Sequence, residues 1–553
     1  MDENMKTTRD AVTRPRLSSG RILFLLILLA MIVRVVAVLS RQMIMLDETA
    51  YVRLAQDLVS GNGMKDITEV GRTATHFSPL LPLLIAGLST IVRDYVVAAY
   101  VIVIAFGSLI LLPTYLLGKE FVSERVGLMA AAIVAVLPLV VDYSSRIYNE
   151  SVYVFFLTLA FVFGFHMIRG CRVLCSTLAG ASLGLAYLAN PAAIYYPVLF
   201  LALLAARSIY FGLWRQMIKA MLIFLLCFAV YAVPYFVFLH AELGEWTYSG
   251  KTTGGNYYTA THDLSYGTLA WEKKLQGLTD DGQDIVALRL DKYNDPLKNI
   301  VREPVLATKV FARQGYILVT EELPKILPLW LLPLLGLGLF ASGWDRRRAA
   351  GVGYFLLLML PALFIIAFYV HDRFFLPFLP LIAIWVAQGW QRLEQWGDET
   401  LLLSFGEERH SSWRSRVPWL VGIAVLAPLL LFSLSTVLRK SYPTEYRVAG
   451  EWIKETAGPG ERILSRYYSP AFYADGIEVI LPYADYQSTT DYAREKDVDY
   501  LVIGKRELAD WRPELFELLS SADEHPQWVL VKTLYKGTDR ELMIFRLNQT
   551  DPG

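Results

Sequence analysis

Asp47 and Glu48 stand side by side in Arg41-Gln-Met-Ile-Met-Leu-Asp-Glu-Thr-Ala-Tyr51, directly after the first long apolar run of the chain. Two acids where a membrane helix leaves the bilayer are costly to desolvate, and charges at that depth usually line a site. Tyr51, Leu54, Ala55 and Leu58 fall on one helical face and Arg53, Gln56, Asp57 and Ser60 on the other. That spacing predicts a short amphipathic helix along the membrane surface, with the acids at its N-terminus, where the helix dipole favours their ionised form. A fixed carboxylate at this boundary suits chemistry on a lipid-linked substrate; the plain alternative is that the pair caps the helix. Other polar groups fall at the ends of apolar runs: His76; Arg146, Tyr148, Asn149 and Glu150; Lys251; and His371-Asp372-Arg373. Carboxylates can deprotonate a hydroxyl or amine, or hold a divalent cation, and Arg and Lys can hold a phosphate leaving group.

These residues need a scaffold of membrane helices. Of 553 residues, 55% are hydrophobic and mean hydropathy is +0.39, as in a polytopic membrane protein with a soluble part. Lys and Arg total 52, as do Asp and Glu, so a zero net charge gives no case for nucleic-acid binding. Cys171, Cys175 and Cys227 show neither metal spacing nor a disulfide framework. The basic N-terminus (Lys6, Arg9, Arg14, Arg16, Arg21) leads into an apolar run with no small-residue cleavage site, which predicts a retained anchor.

Apolar runs at 22–40, 96–117, 126–141, 151–168, 174–190, 192–210, 217–239, 325–341, 350–370, 373–390 and 417–437 predict about eleven spans. With the N-terminus inside, each inner connection is basic: Lys119 and Arg125; Arg169 and Arg172; Arg207, Arg215 and Lys219; Arg346, Arg347 and Arg348; Arg392, Arg409, Arg414 and Arg416. The run at 79–92 would invert this pattern as a span and is expected to be an interfacial or re-entrant helix outside. The expected fold is mainly α. A cytoplasmic tail (1–21) precedes a transmembrane domain (22–440) with outer loops at 41–95 and 241–323, the second packed over the membrane site. An extracytoplasmic α/β domain follows (441–553), with strands at Arg462-Ile-Leu-Ser, Glu478-Val-Ile-Leu, Tyr500-Leu-Val-Ile, Trp528-Val-Leu-Val and Glu541-Leu-Met-Ile-Phe-Arg. All the polar groups above then share the non-cytoplasmic face.

Each has a structural alternative. Arg146 and Glu150, four apart, form a helix-end ion pair. His371 and Asp372 cap an interfacial turn, since their spacing is not a zinc pattern. Lys251 is a solvated loop lysine. Arg34, inside the first span, is expected to pair with an acid or reach the outer interface.

The run Arg34 … Asp47-Glu48-x-x-Tyr51-x-x-x-Ala55-x-x-Leu58-x-x-Gly61, followed by His76-Phe-Ser-Pro79-Leu-Leu-Pro82, resembles the first outer loop of the GT-C glycosyltransferases, in the branch of the protein O-mannosyltransferases and the lipid A aminoarabinose transferase. The resemblance continues through Tyr143-Ser-Ser-Arg-Ile-Tyr-Asn-Glu150, Trp246 to Asn256, His371-Asp-Arg373-Phe-Phe-Leu-Pro377-Phe-Leu-Pro380, Phe472-Tyr473-Ala-Asp-Gly476 and Tyr500-Leu-Val-Ile. It implies inverting transfer of a sugar from a polyprenyl-phosphate donor of undecaprenyl or dolichyl type to a lipid, glycan or protein acceptor, by an integral protein of the cell membrane acting on its non-cytoplasmic side. It implies Asp47 as catalytic acid with Glu48 beside it, and Arg373 at the donor phosphate. Glu150, with Arg146, Tyr148, His371 and Asp372 around it, orients the acceptor or joins Asp47 around a divalent cation. No cofactor is certain. Phe77-Ser78-Pro79-Leu80 replaces the Lys-Pro-Pro-Leu of the aminoarabinose transferases, which argues against that acceptor and leaves Lys251 or His76 to take the place of the missing phosphate-binding lysine. A transporter or flippase of lipid-linked sugars is the rival; the chain has neither the internal repeat nor the paired broken helices expected of one.

Overall fold

The computed structural model describes the chain except residues 1–17, 66–73, 171–172, 251–259, 262–263, 265–272, 275, 287–299, 342, 362, 364–368, 415, 516–526 and 549–553. Lys251, Cys171, Arg172 and most of the basic N-terminal tail therefore lie outside the described residues. Every apolar run contains a helix. The first eleven helices are α1 (Ser19–Leu39), α2 (Asp47–Val59), α3 (Leu80–Val92), α4 (Tyr95–Leu109), α5 (Leu111–Phe121), α6 (Glu124–Val136), α7 (Pro138–Tyr143), α8 (Glu150–Gly170), α9 (Val173–Ala189), α10 (Tyr195–Phe211) and α11 (Trp214–Leu243). Beyond residue 300 come α12 (Pro304–Ile317), at the end of the 241–323 loop, and then α13 (Leu332–Phe340), α14 (Arg346–Leu358), α15 (Leu379–Arg414) and α16 (Val417–Leu438).

Among the described residues, seven helical stretches are long and apolar enough to cross a membrane, or eight if the pair Pro304–Ile326 and Leu329–Phe340, bent by 87°, is one span. The expected count of eleven is not reached. The run at 126–141 is broken because Leu137 precedes Pro138, whose ring drives it to an extended conformation (φ −70°, ψ 124°). The runs at 174–190 and 350–370 hold helices of only 17 and 13 residues. The segment expected to be interfacial is α3, at 13 residues too short to span. Within the bundle, α13 and α15 touch backbone to backbone. A Cβ added to Gly338 would lie 1.8 Å from the Trp385 carbonyl, and one on Gly389 1.8 Å from that of Leu334, so only glycine fits this crossing.

Arg34 departs from expectation. It is fully buried, and its Nη1 donates to the carbonyls of Ala30 (3.0 Å) and Ala135 (3.1 Å); among the described residues no acid pairs with it. The α1–α6 packing supplies backbone oxygens where the sequence suggested a carboxylate.

All five expected strands form: β1 (Arg462–Ser465), β2 (Ile477–Ile480), β3 (Tyr500–Gly504), β4 (Trp528–Leu534) and β5 (Leu542–Leu547). They make one sheet in the order β2-β1-β3-β5-β4, with β1 parallel to β2 and β3, and β5 antiparallel to β3 and β4. The period-2 alternation of a strand gives the sheet two cores. Tyr500 and Val502 pack with α17 (Thr444–Ala457) on one face, whereas Leu501 and Ile503 pack with α19 (Tyr486–Glu495) on the other. Between β1 and β2 lies α18 (Ser469–Tyr473), whose Phe472 and Tyr473 pack into the core of the helical bundle.

The second outer loop is attached to this sheet region. Gln276 accepts from the Tyr483 N–H (2.6 Å) through its carbonyl and from Arg512 (3.0 Å) through its side chain, and Asp284 pairs with Lys496 (3.1 Å). The described part of the loop at 276–286 thus leans on the C-terminal sheet, while the carbonyl of Tyr248 accepts from the Tyr187 hydroxyl of α9 (2.6 Å).

Candidate functional site

Two adjacent acids in the first turn of a helix point about 100° apart, so they meet different surroundings. Glu48 points inward and its side chain is 2% exposed. One carboxylate oxygen takes Arg41 (2.5 Å) and the Met45 N–H (3.0 Å), and the other takes the Ile147 N–H (3.0 Å) from the turn between α7 and α8. Burial pushes the Glu48 carboxyl up, against the pull of Arg41 and the two amides. Asp47 points outward; its side chain is 45% exposed, and its nearest ionic partner is Arg373, 4.0 Å away. The pair is therefore one open acid and one tethered acid.

Arg373 comes from a 3-10 turn, Asp372–Phe378, that leads into α15. Burial lowers the pKa of its guanidinium, and the charges of Glu150 and Asp47 raise it above the ordinary arginine value. Glu150 opens α8 and is 9% exposed, beside a small cavity lined by Tyr143, Ser144, Ser151, Val154, Leu376 and Pro380. Tyr51 completes this group. Four residues after Asp47 and hence on the same helix face, its buried hydroxyl feels Glu150, Asp47 and Arg373.

His371 and Asp372 behave as the capping alternative foresaw. His371 stands at the N-cap of the turn, where its Nδ1 accepts from the Arg373 N–H (3.4 Å) and lies 2.8 Å from Asp372 Oδ1. Asp372 also accepts from the Tyr143 hydroxyl (3.0 Å), and its N–H donates to Glu322 (2.7 Å), which in turn pairs with Lys325 (2.6 Å). Glu322, His371 and Asp372 are the one group among the described residues with potential metal-ligand atoms all within 4.8 Å. The two Glu322 oxygens already meet the Lys325 ammonium and the Asp372 N–H, and His371 Nδ1 and Asp372 Oδ1 face one another. The cluster braces the turn that carries Arg373.

The expected Arg146–Glu150 pair does not form. Residues 144–149 are not helical, so the i,i+4 geometry fails. Arg146 instead reaches back one turn to Asp142 (2.5 Å), which also holds Lys440 (2.7 Å) from the segment after α16. Its guanidinium covers the rings of Tyr143 (4.9 Å) and Tyr148 (5.9 Å), whose hydroxyls burial pushes up and keeps neutral. His76 is exposed and packs edge-on against Phe77, which contacts Tyr51. Gly250, just before Lys251, approaches the same segment: a Cβ there would lie 2.1 Å from the Thr75 carbonyl.

The structure thus joins Asp47, Glu150 and Arg373, and sets Arg146 and Tyr148 beside them. Sequence reasoning missed Tyr51, Asp142, Tyr143, Glu322 and Lys440. The spacing of Tyr51 from Asp47 and of Asp142 from Arg146 could have flagged those two; Tyr143, Glu322 and Lys440 depend on contacts between distant segments.

Comparison with known proteins bears on the fold. Residues 76–236 match the family model of the dolichyl-phosphate-mannose-protein mannosyltransferases. No curated protein matches by sequence. Among solved structures, the oligosaccharyltransferase of Archaeoglobus fulgidus tethered to an acceptor peptide aligns with a TM-score of 0.60 at 14% identity, over 96% of this chain and 74% of the other. AglB of Archaeoglobus fulgidus, with an inhibitory peptide and a dolichol-phosphate, aligns at 0.55 and 13%, over 89% and 70%. ArnT of Cupriavidus metallidurans, bound to undecaprenyl phosphate, aligns at 0.55 and 13%, over 96% and 98%. With its helical bundle and its C-terminal sheet, this chain has the fold of the GT-C membrane glycosyltransferases.

Proposed function

We propose that the protein is an integral-membrane glycosyltransferase that moves a sugar from a polyprenyl-phosphate donor to a lipid, glycan or protein acceptor, with inversion, on the non-cytoplasmic face. The observation that carries this is the open Asp47 carboxylate 4.0 Å from Arg373, with Glu150 as the other acidic neighbour of that guanidinium. The basic inner connections support the sidedness, and the lipid phosphates in the related structures support the class of donor.

Asp47 takes the proton of an acceptor hydroxyl or amine as the acceptor atom bonds to the anomeric carbon. The bond from that carbon to the phosphate oxygen breaks, and its electron pair leaves with the lipid phosphate. Arg373 neutralises that charge with paired hydrogen bonds. Before the donor arrives, Arg373 stands near Asp47; the phosphate competes for the guanidinium and leaves Asp47 free to act as base. Glu150 holds Arg373 from its buried side and orients the acceptor. Arg373 already supplies positive charge beside both carboxylates, so a divalent cation bridging Asp47 and Glu150 is not required. Glu48 positions the loop, and His76 and Lys251 remain assigned to the donor side.

The test is purified protein with a panel of radiolabelled polyprenyl-phosphate sugars. Release of lipid phosphate, lost in a folded Asp47→Asn variant, supports the reading; vectorial movement without cleavage, or full activity in Asp47→Asn, overturns it.

A further inference from the structure

The seven residues between α1 and Asp47 make few bonds among themselves, and the C-terminal region binds their backbone. The Gln42 carbonyl accepts from Arg447 (2.8 Å), the Ile44 N–H donates to the Tyr473 hydroxyl (3.0 Å), and the Ile44 carbonyl accepts from Ser469 (3.4 Å). The linker ends at Leu46, which sits at φ 51°, ψ −130°, where a side chain is strained. Such a conformation persists only where the surroundings over-determine it. On the near side Glu48 takes the Met45 N–H; on the far side the bonds to the Gln42 and Ile44 backbone come from α17 and α18. Two turns into α2, Arg53 donates to the carbonyls of Ala471 (3.0 Å) and Gly476 (2.8 Å), and its guanidinium covers Phe472 (5.6 Å). The polar face of α2, expected from sequence to lie toward water, is therefore docked on the C-terminal region through Arg53.

We infer that the C-terminal domain is a clamp that aims Asp47 at Arg373, with Tyr473 and Arg53 as positioning residues. The inference rests on the proposed role of Asp47 as base. Removing a clamp bond lets Leu46 relax toward an ordinary φ, and the first turn of α2 rotates Asp47 away from the guanidinium. Tyr473 and Arg53 are not placed at the donor, so their loss acts on turnover and leaves donor affinity intact. The Ile44 side chain is buried in the apolar core of the bundle, so it is the backbone of the linker that the C-terminal region holds.

The experiment uses full-length protein in detergent, with whichever radiolabelled polyprenyl-phosphate sugar from the panel the unaltered protein consumes. Tyr473→Phe and Arg53→Met each lower kcat by roughly ten- to a hundredfold, since small misplacement of a reacting group is costly. KM for the donor stays within about twofold, and Arg53→Lys recovers part of the loss because it keeps a donor toward the two carbonyls. Hydrogen exchange of the 42–48 segment, which needs no substrate, rises in Tyr473→Phe while the sheet residues 500–504 keep their protection. Unchanged kcat and unchanged exchange in both variants overturn the clamp, provided Asp47→Asn is inactive. If Asp47→Asn retains activity, it is the base assignment that fails, and the exchange measurement alone then decides whether the C-terminal domain holds the linker.

Discussion

The first outer turn, 41–48, and the turn between α7 and α8, 142–150, use the same device with different results. Each holds one tethered acid and one whose charge acts on Arg373. In the first, Glu48 is tied by Arg41 and two amides while Asp47 stays 45% exposed. In the second, Asp142 is tied by Arg146 and Lys440 while Glu150 is buried to 9% exposure. The turns are joined, because Glu48 accepts from Ile147. The difference in exposure separates two kinds of work. An open carboxylate can take a proton from an incoming acceptor, whereas a buried one is a fixed charge that sets where the guanidinium lies.

The largest effect tests that division directly. Asp47→Asn keeps the shape and removes the base, so transfer falls on the order of a hundred- to ten-thousandfold. Glu150→Gln keeps the packing and removes a charge beside Arg373, with a loss of roughly ten- to a hundredfold. Initial rates on the same donor compare the two. Loss of more activity in Glu150→Gln than in Asp47→Asn would reverse the roles.

The tethered acids come next, and here stability is measured. Glu48→Ala leaves a buried guanidinium and two amides without their acceptor, at a cost of about 3–5 kcal/mol. Asp142→Asn keeps one acceptor oxygen in a site where Arg146 and Lys440 reach solvent in part, at about 1–3 kcal/mol. Thermal unfolding in detergent gives the order; equal losses would mean that the turns are held alike.

Much of this frame was legible in the sequence. Apolar continuity and basic connections marked where helices lie, and strand alternation marked all five strands. The family-like runs named Asp47, Glu150 and Arg373. What stayed hidden were partners. Helical spacing suggested Arg146 with Glu150, but the chain leaves the helix at Ser144, so Asp142 takes the arginine. Tyr51 was assigned to the apolar face of α2, which is also the face that carries Asp47. The bond from Ile44 to Tyr473 joins residues 429 apart, and periodicity identifies a face without identifying what covers it. Glu322 reads as one more loop acid until the bent pair of helices brings it to Asp372.

The smallest expected effect bears on what lies between the two open-site acids. A divalent cation bridging Asp47 and Glu150 would compete with Arg373 for both carboxylates, and like charges there repel. Arg373 is carried on a turn that Tyr143, Glu322 and His371 brace through Asp372, so the guanidinium is not easily displaced. Chelation with EDTA therefore leaves the rate within about twofold of the untreated protein, whereas a metal-bridged pair would lose activity by far more than one bound water's worth of acidity. Arg373→Lys sharpens the same point. It keeps the charge and loses the paired geometry toward phosphate, so turnover falls in the absence and presence of EDTA alike. Rescue of that variant by added magnesium or manganese would show that a cation can stand in for the guanidinium, and the contrast between an open base and a buried charge would then need a metal at its centre.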